Sequence, residues 1–504
     1  MTISDKFSDG FLDPRPRFLQ RETTGTIRSV FIANRGEVAV RIARTLRRMS
    51  ITSVAAYEPG DEHSLHIVVA DHAVMLRSKD DKSVFLDIET IIAAAKEYDC
   101  QAIHPGWGYL SEDAQFIRRC EEEGIIFIGP TADTVDRLGD KVSARAIAEK
   151  AGVPVPGGTS KPVKSAKKAV EEASRVGLPV LLKAAAGGGG RGIRVIRSLE
   201  DIPTAFERAR SEALKAFGRG DLFIESFLEG ARHIEVQVLG DKHGQIFALG
   251  TRDCSLQRRR QKVVEEADAT ILSEELRKNL MDAAVGICKE ANYVNAGTVE
   301  FLVMPDERFA FLEVNTRLQV EHPVTEAVIG QDLVWLQVLV AAGHKMPDEL
   351  GSVVPLGHAI EVRVIAEDAR NNFAPQTGLV RHIQWPEHSH VRIETALVQG
   401  SSIGTKYDSM IAKIIAWGRN RNEALDRLAR ALDDTRIIGI KTNVHLLRYI
   451  CDHPEFQINK IDTGALERWM PEYQETIGSD PAFFDAARAA AVLWASPKDA
   501  DKPA

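Results

Sequence analysis

Apolar positions along the first 130 residues recur with two alternating periods. The run at 30–33 reads as a buried strand. Val38, Ile42 and Leu46 then follow at helical spacing, and a second apolar run occupies 54–57. That pattern predicts a βαβ unit. It continues through an Ala-rich helix at 88–96, a short strand at 102–104, a helix at 112–123 and a strand at 125–128, which predicts an open α/β layer. A connecting helix is predicted at 139–152, and Pro154, Pro156, Gly157 and Gly158 then punctuate the chain as a linker would. Beyond them come a strand at 179–183, a run of glycines, a strand at 194–196, a charged helix at 202–217 and a strand at 222–226. Together they have the size of a small lid. The segments 234–239 and 360–365 alternate apolar with polar residues, as strands with one site-facing side do, so the remainder is predicted to be α+β. An Ala-rich amphipathic stretch lies at 483–494.

Charge narrows the function classes. A net charge of −8 removes the general phosphate attraction on which duplex binders rely, so no nucleic-acid partner is expected. The five cysteines (100, 120, 254, 288 and 451) are widely spaced and form no C-x-x-C, which indicates neither a disulfide framework nor a zinc site. Asp5, Asp9, Asp13 and Glu22 make the first residues unlike a secretory or transit peptide, and no window reaches membrane-spanning apolar length. A cytoplasmic protein without a membrane partner is expected. The first strand-to-helix turn, Asn34-Arg35-Gly36-Glu37, lacks the three glycines of a dinucleotide fingerprint, which argues against a nicotinamide dehydrogenase.

Three constellations could carry chemistry. In Lys183-Ala-Ala-Ala-Gly187-Gly188-Gly189-Gly190-Arg191-Gly192, consecutive glycines would let backbone N–H groups close over phosphate oxygens where any Cβ would clash. A flexible linker is the alternative. Glu300, and Glu313 with Asn315, project from alternating strand-like segments between apolar neighbours, and hard oxygen ligands of this kind suit magnesium. The alternative is pairing with nearby arginines. Arg258, Arg259, Arg260 and Lys262 form a basic run that is either a solvated face or an anion site. The polar string Arg317, Gln319, Glu321, His322 follows the acids, and His322 by itself reads as a hydrogen-bonded structural histidine.

Six motifs in order resemble the biotin carboxylase family of the ATP-grasp superfamily, from about Thr26 to about Met470. They are Ile32-Ala-Asn-Arg-Gly-Glu37, His104-Pro-Gly-Trp-Gly108 with Leu110-Ser-Glu112, Gly139-Asp-Lys141, the Lys183 glycine loop, Gln257 to Glu266, and Glu313 to Glu326. The resemblance implies a tail (1–25), an N-terminal α/β domain (26–140), a linker helix (141–155), an ATP-grasp lid (156–228), a second ATP-grasp half (229–354), a C-terminal domain (355–475) and a final tail (476–504). It also implies a ligase that forms carboxyphosphate from bicarbonate and ATP and carboxylates biotin.

By the same resemblance, Lys141 and Lys183 bind ATP phosphates, Gly188, Gly189 and Gly190 cover them, and Glu225 to Leu228 meets adenine, with His233 near the nucleotide. Glu300, Glu313 and Asn315 would hold magnesium, or manganese in its place, at two sites. Lys262, Arg317, Gln319 and the Val320 backbone would hold bicarbonate, Glu321 would take its proton, and Arg363 would face the biotin oxyanion. Two departures stand out: Arg260 where the family commonly has histidine, and Trp107 where it has tyrosine. Both are expected to alter nucleotide contacts locally.

The implied partners are a biotin carrier protein and carboxyltransferase subunits in trans, in a homodimer or larger assembly. None of the eight methionines (1, 49, 75, 281, 304, 346, 410 and 470) precedes a lysine, so biotin is expected on another polypeptide. The segments 406–413 and 438–443, with 452–456, are similar to acyl-CoA carboxylases, while 85–89 is similar to pyruvate carboxylases; the acceptor stays open.

Overall fold

The computed structural model describes residues 27–78, 83–159, 161–184, 193–218 and 220–478. Strands β1 (Ser29–Ile32), β2 (Thr52–Tyr57), β3 (His72–Met75), β4 (Ala102–His104) and β5 (Ile126–Phe127) form a parallel sheet in the order β3-β2-β1-β4-β5. Helix α1 (Gly36–Arg48) follows β1 and buries Val38, Ile42 and Leu46, as their spacing predicts. Because β1 and β4 are neighbours, with Ile32 beside His104, two of the sequence motifs meet at one end of the sheet. Asn34 joins them by donating to the carbonyls of Pro105 (2.7 Å) and Trp107 (2.8 Å). Gly106 makes this possible: its φ is +65°, and a Cβ there would lie 2.8 Å from the Asn34 amide nitrogen.

Two predicted helices are corrected. The helix read over 139–152 runs only over Lys141–Lys150, and a further helix, Ala132–Gly139, precedes it. Asp140 breaks them because its carboxylate accepts from the Ser143 N–H and caps the second. The helix read from 112 begins at Ala114, capped by Asp113, which frees Glu112 to face Thr316 and Arg317.

The lid is a three-stranded antiparallel sheet in which β6 (Val180–Ala184) lies between β7 (Ile193–Ile196) and β8 (Leu222–Ser226). The third sheet has eight strands. It begins with β13 (Phe309–Asn315), β12 (Asn295–Val303), β9 (Arg232–Gly240) and β10 (Ile246–Arg258), and continues through β11 (Gln261–Ala267) and β14 (His358–Ile365) to Met410–Gly418 and Val391–Thr395. Its ladder therefore runs unbroken across the 354/355 boundary, with Glu265 of β11 opposite Glu361 of β14. Register sets Glu313 opposite Glu300, Glu300 opposite Glu235, and Glu235 opposite Arg252, a charged row across four strands. The helix His322–Ile329 packs on β10, β11 and β14, and the apolar helix Leu333–Ala341 is buried throughout. All five cysteines are buried free thiols.

Away from the cleft, Glu266 of this sheet is held by two partners, a histidine ring and an arginine. It accepts from His358 Nε2 (2.8 Å) and from Arg421 Nε (2.7 Å) and Nη2 (2.9 Å). Burial alone would raise its pKa, but the His358 bond and the Arg421 charge outweigh it and hold it at about 2. A carboxyl depressed on folding stabilises the folded state above its unfolded pKa, and that contribution is lost as pH falls through the folded value. For this shift the contribution is about 3 kcal/mol at pH 7. Glu266→Gln is therefore expected to lower the thermal midpoint at pH 7, with the gap from wild type closing as the pH falls from about 5 to about 2. A gap independent of pH would assign the loss to packing.

Candidate active site

A cleft of about 1600 Å³ opens where the lid, the α/β domain and the eight-stranded sheet face one another. Lys141, Lys183, Glu225, Leu228, His233, Lys262, Glu300, Glu313, Asn315, Arg317, Gln319, Val320 and Arg363 all line it, and Glu321 is buried immediately beneath. Segments far apart in sequence thus converge. Gly188, Gly189 and Gly190 lie outside the described residues, as does the amphipathic stretch at 483–494.

At the lid end, Lys183 pairs with Glu225, whose other oxygen lies 3.2 Å from Arg145. Burial and the neighbouring Lys183 charge push the Lys141 ammonium below its ordinary value. Two cations close enough to act on each other at one end of a cleft suit a polyanion such as a polyphosphate.

The opposite wall is built on Lys262. Its Nζ lies 2.6 Å from Glu235, 3.0 Å from Glu300 and 2.5 Å from Glu321. Burial works against its charge, yet these three carboxylates hold its pKa well above the lysine range. Glu321 bridges Lys262 and Arg363, the latter 3.0 Å from its second oxygen, and the cations hold it well below the carboxylate range despite complete burial. Arg363 also donates from Nε to Glu265 at 2.6 Å. Arg317 donates to Glu112 (3.0 Å), Gln319 (3.0 Å) and Asn315 (3.2 Å), so its guanidinium plane is fixed. The chemical content is an ionised base between two cations that can receive an anion and an oxyanion.

The donor set also fits a divalent cation. Glu300 and Glu313 sit opposite each other on β12 and β13, and Asn315 Nδ2 donates to Glu300 at 2.8 Å. Glu313 is exposed to the cleft; desolvation there and the Glu300 charge lift its pKa, whereas Lys262 and His233 hold Glu300 well below the carboxylate range despite its burial. His233 Nε2 lies 3.1 Å from Glu300, and its Nδ1 lies 2.9 Å from the Gln257 amide.

The basic run proves to be neither wholly solvated nor wholly an anion site. Arg258 pairs with Glu367 at 2.7 Å and stacks over Phe373, while Arg259 reaches Glu467 and Asn372. Arg259 and Arg260 form the β10–β11 turn with φ of 48° and 69°, and Arg258, Arg260 and Lys262 line the cleft. Several site residues were missed in the sequence. Glu235 could have been found from the alternation of 234–239; Arg252, buried on β10 with bonds to Gln237, Thr298 and Thr325, gave no such signal.

Parallel α/β domain, small antiparallel lid and long mixed-charge sheet closing on one cleft define an ATP-grasp-like architecture. Residues 26–135 match the family described as biotin carboxylase, N-terminal domain, and residues 361–468 match the biotin carboxylase C-terminal domain. Between them, residues 140–349 match the carbamoyl-phosphate synthase L chain, ATP binding domain. The biotin carboxylase of Halalkalibacterium halodurans is 44% identical over 437 residues, covering 87% of this chain and 96% of that protein. The mitochondrial methylcrotonoyl-CoA carboxylase subunit alpha of Glycine max is 43% identical over 447 residues, 88% of this chain; the match spans 61% of that longer protein. A crystal structure of the Campylobacter jejuni biotin carboxylase–β,γ-ATP complex superposes with a TM-score of 0.85 at 40% identity, covering 88% of this chain and 99% of that one. The chain belongs to the biotin carboxylase family.

Proposed function

We propose that the protein is a biotin carboxylase: it uses ATP and bicarbonate to carboxylate biotin presented by a carrier, for a carboxyltransferase that chooses the final acceptor. The observation that carries this reading is Glu321 bound between Lys262 and Arg363 in a cleft whose far end holds Lys141 and Lys183. In this reading Lys141 and Lys183 bind the phosphates. Lys262, Arg317, Gln319 and the Val320 backbone hold bicarbonate, and Glu321 removes its proton so that the anion attacks the γ-phosphate. Glu300, Glu313 and Asn315 would hold magnesium, or manganese, which supplies charge neutralisation on the transferred phosphoryl group. Arg363 then meets the ureido oxygen of biotin as charge develops there.

The decisive experiment is ADP release by the purified chain, with and without bicarbonate and free biotin. Dependence on bicarbonate with stimulation by biotin is expected. The central match to carbamoyl-phosphate synthase favours a second reading, an acyl-phosphate ligase that joins ammonia, and stimulation by ammonia in place of biotin would select it. Within residues 1–504 no methionine precedes a lysine, so these residues themselves are not expected to carry the biotin. Coexpression of these 504 residues with a biotin ligase is expected to leave the intact mass at the unmodified 55.5 kDa, and a stoichiometric biotin adduct would overturn that expectation.

A further inference from the structure

The loop that carries Arg317 to Glu321 shows an arrangement not explained by any role given above. Three successive carbonyls are each held by a different side chain. Leu318 O accepts from Arg317 Nη1 at 3.3 Å, Gln319 O from His322 Nδ1 at 2.7 Å, and Val320 O from Lys413 Nζ at 2.7 Å. His322 and Lys413 are both fully buried. Lys413 lies opposite Arg363 in the sheet and has Glu37 of α1 as counter-ion at 3.3 Å. Glu37 is anchored in turn by the indole N–H of Trp107 at 3.0 Å.

An anion cradle needs donors turned towards it and carbonyls turned away. The trans peptide plane makes these one requirement, since C=O and N–H of one peptide point in opposite directions. Fixing the Gln319 carbonyl fixes the Val320 N–H, and fixing the Val320 carbonyl fixes the peptide that carries Glu321. A flip of either plane would bring a carbonyl dipole towards the bound anion. We propose, on the reading of this cleft as a bicarbonate site, that His322 and Lys413 are positioning residues that pin the Gln319 and Val320 carbonyls away from the anion. Neither is a catalytic residue. A carbonyl only accepts, so the histidine must carry its proton on Nδ1. Its environment agrees: burial, reinforced by the charges of Lys413, Arg41 and Arg392, holds the ring neutral with its pKa well below the histidine range.

The test separates the two substrates of one assay. Asparagine places an amide near the Nδ1 position of histidine, whereas glutamine places it near Nε2. In bicarbonate-dependent ADP release, His322→Gln and Lys413→Met are expected to raise the KM for bicarbonate by about tenfold or more, as expected when a carbonyl at a binding loop loses its side-chain donor, the Gln319 carbonyl keeping only the long 3.4 Å bond from the His322 N–H. The KM for ATP is expected to stay within about twofold, and His322→Asn to keep the bicarbonate KM within about threefold of wild type. An equal rise in both KM values, a loss confined to kcat, or Asn and Gln variants that behave alike would overturn the proposal. The histidine pair decides the matter even where Lys413→Met does not fold. Turnover of the wild-type chain that ignores bicarbonate would defeat the functional reading itself, and that outcome is seen without any variant.

Discussion

Glu321→Gln is expected to depress bicarbonate-dependent ADP release and biotin carboxylation together, each by about 10²- to 10⁴-fold, because in the proposed mechanism proton removal by this carboxylate precedes both. The substitution keeps the shape of the side chain and removes its capacity to accept a proton. Glu321 is fully buried, and burial alone would favour its neutral form; Lys262 and Arg363, with the charge of Arg252 behind them, hold it ionised. Its pKa lies well below the ordinary carboxylate value, so it carries its charge throughout the neutral range. Activity is therefore expected to show no acid limb near neutrality from this group. Nucleotide affinity is expected to change little, since Lys141 and Lys183 stand at the other end of the cleft. A variant that retains more than about a tenth of wild-type ADP release would remove Glu321 from the role of base.

Arg363→Ala is expected to separate the two activities instead. Loss of one preorganised donor to a developing oxyanion costs about 10²- to 10³-fold, and that loss should fall on biotin carboxylation while bicarbonate-dependent ADP release is largely spared. The local geometry sets the limit of that sparing. Arg363 neutralises both Glu265 and Glu321, and Glu265 is already lifted to about 7 by burial and by the Glu321 charge. Without the guanidinium, Glu265 takes up a proton, whereas Glu321 keeps Lys262 as its partner at 2.5 Å. Arg363→Lys is not expected to restore carboxylation, because an ammonium cannot span Glu265, Glu321 and an oxyanion from one plane. Equal loss of both activities would show that the arginine serves an earlier step.

Much of this site was legible because its residues lie on regular elements. Glu300 and Glu313 stand out as polar residues in apolar alternation, and that period puts each on the face of its strand opposite its apolar neighbours; the register then pairs them. The strand-to-helix turn at Asn34 and the turn at Gly106 were visible as motifs, but not that one asparagine amide ties them together, since strand adjacency is not written in either segment. Lys413 illustrates the harder case. It lies in a nearly continuous apolar run and resembles an edge position, yet register sets it beside Arg363 and under the Val320 carbonyl. The start of the helix at Lys141 was misplaced for a different reason: an aspartate between two helices reads as helix by periodicity and as a cap only when the chain turns there.

The unbroken ladder from β13 to Val391–Thr395 has a consequence for taking the protein apart. The family descriptions place a border between residues 349 and 361, yet in space that border is a seam of hydrogen bonds between β11 and β14. A fragment ending there would present β11 as a raw edge whose apolar Val263 and Val264 had lost their cover, an open invitation to pair with another copy. The separable piece is the lid, which owns its sheet and its core; the eight-stranded wall that faces it across the cleft is a single cloth.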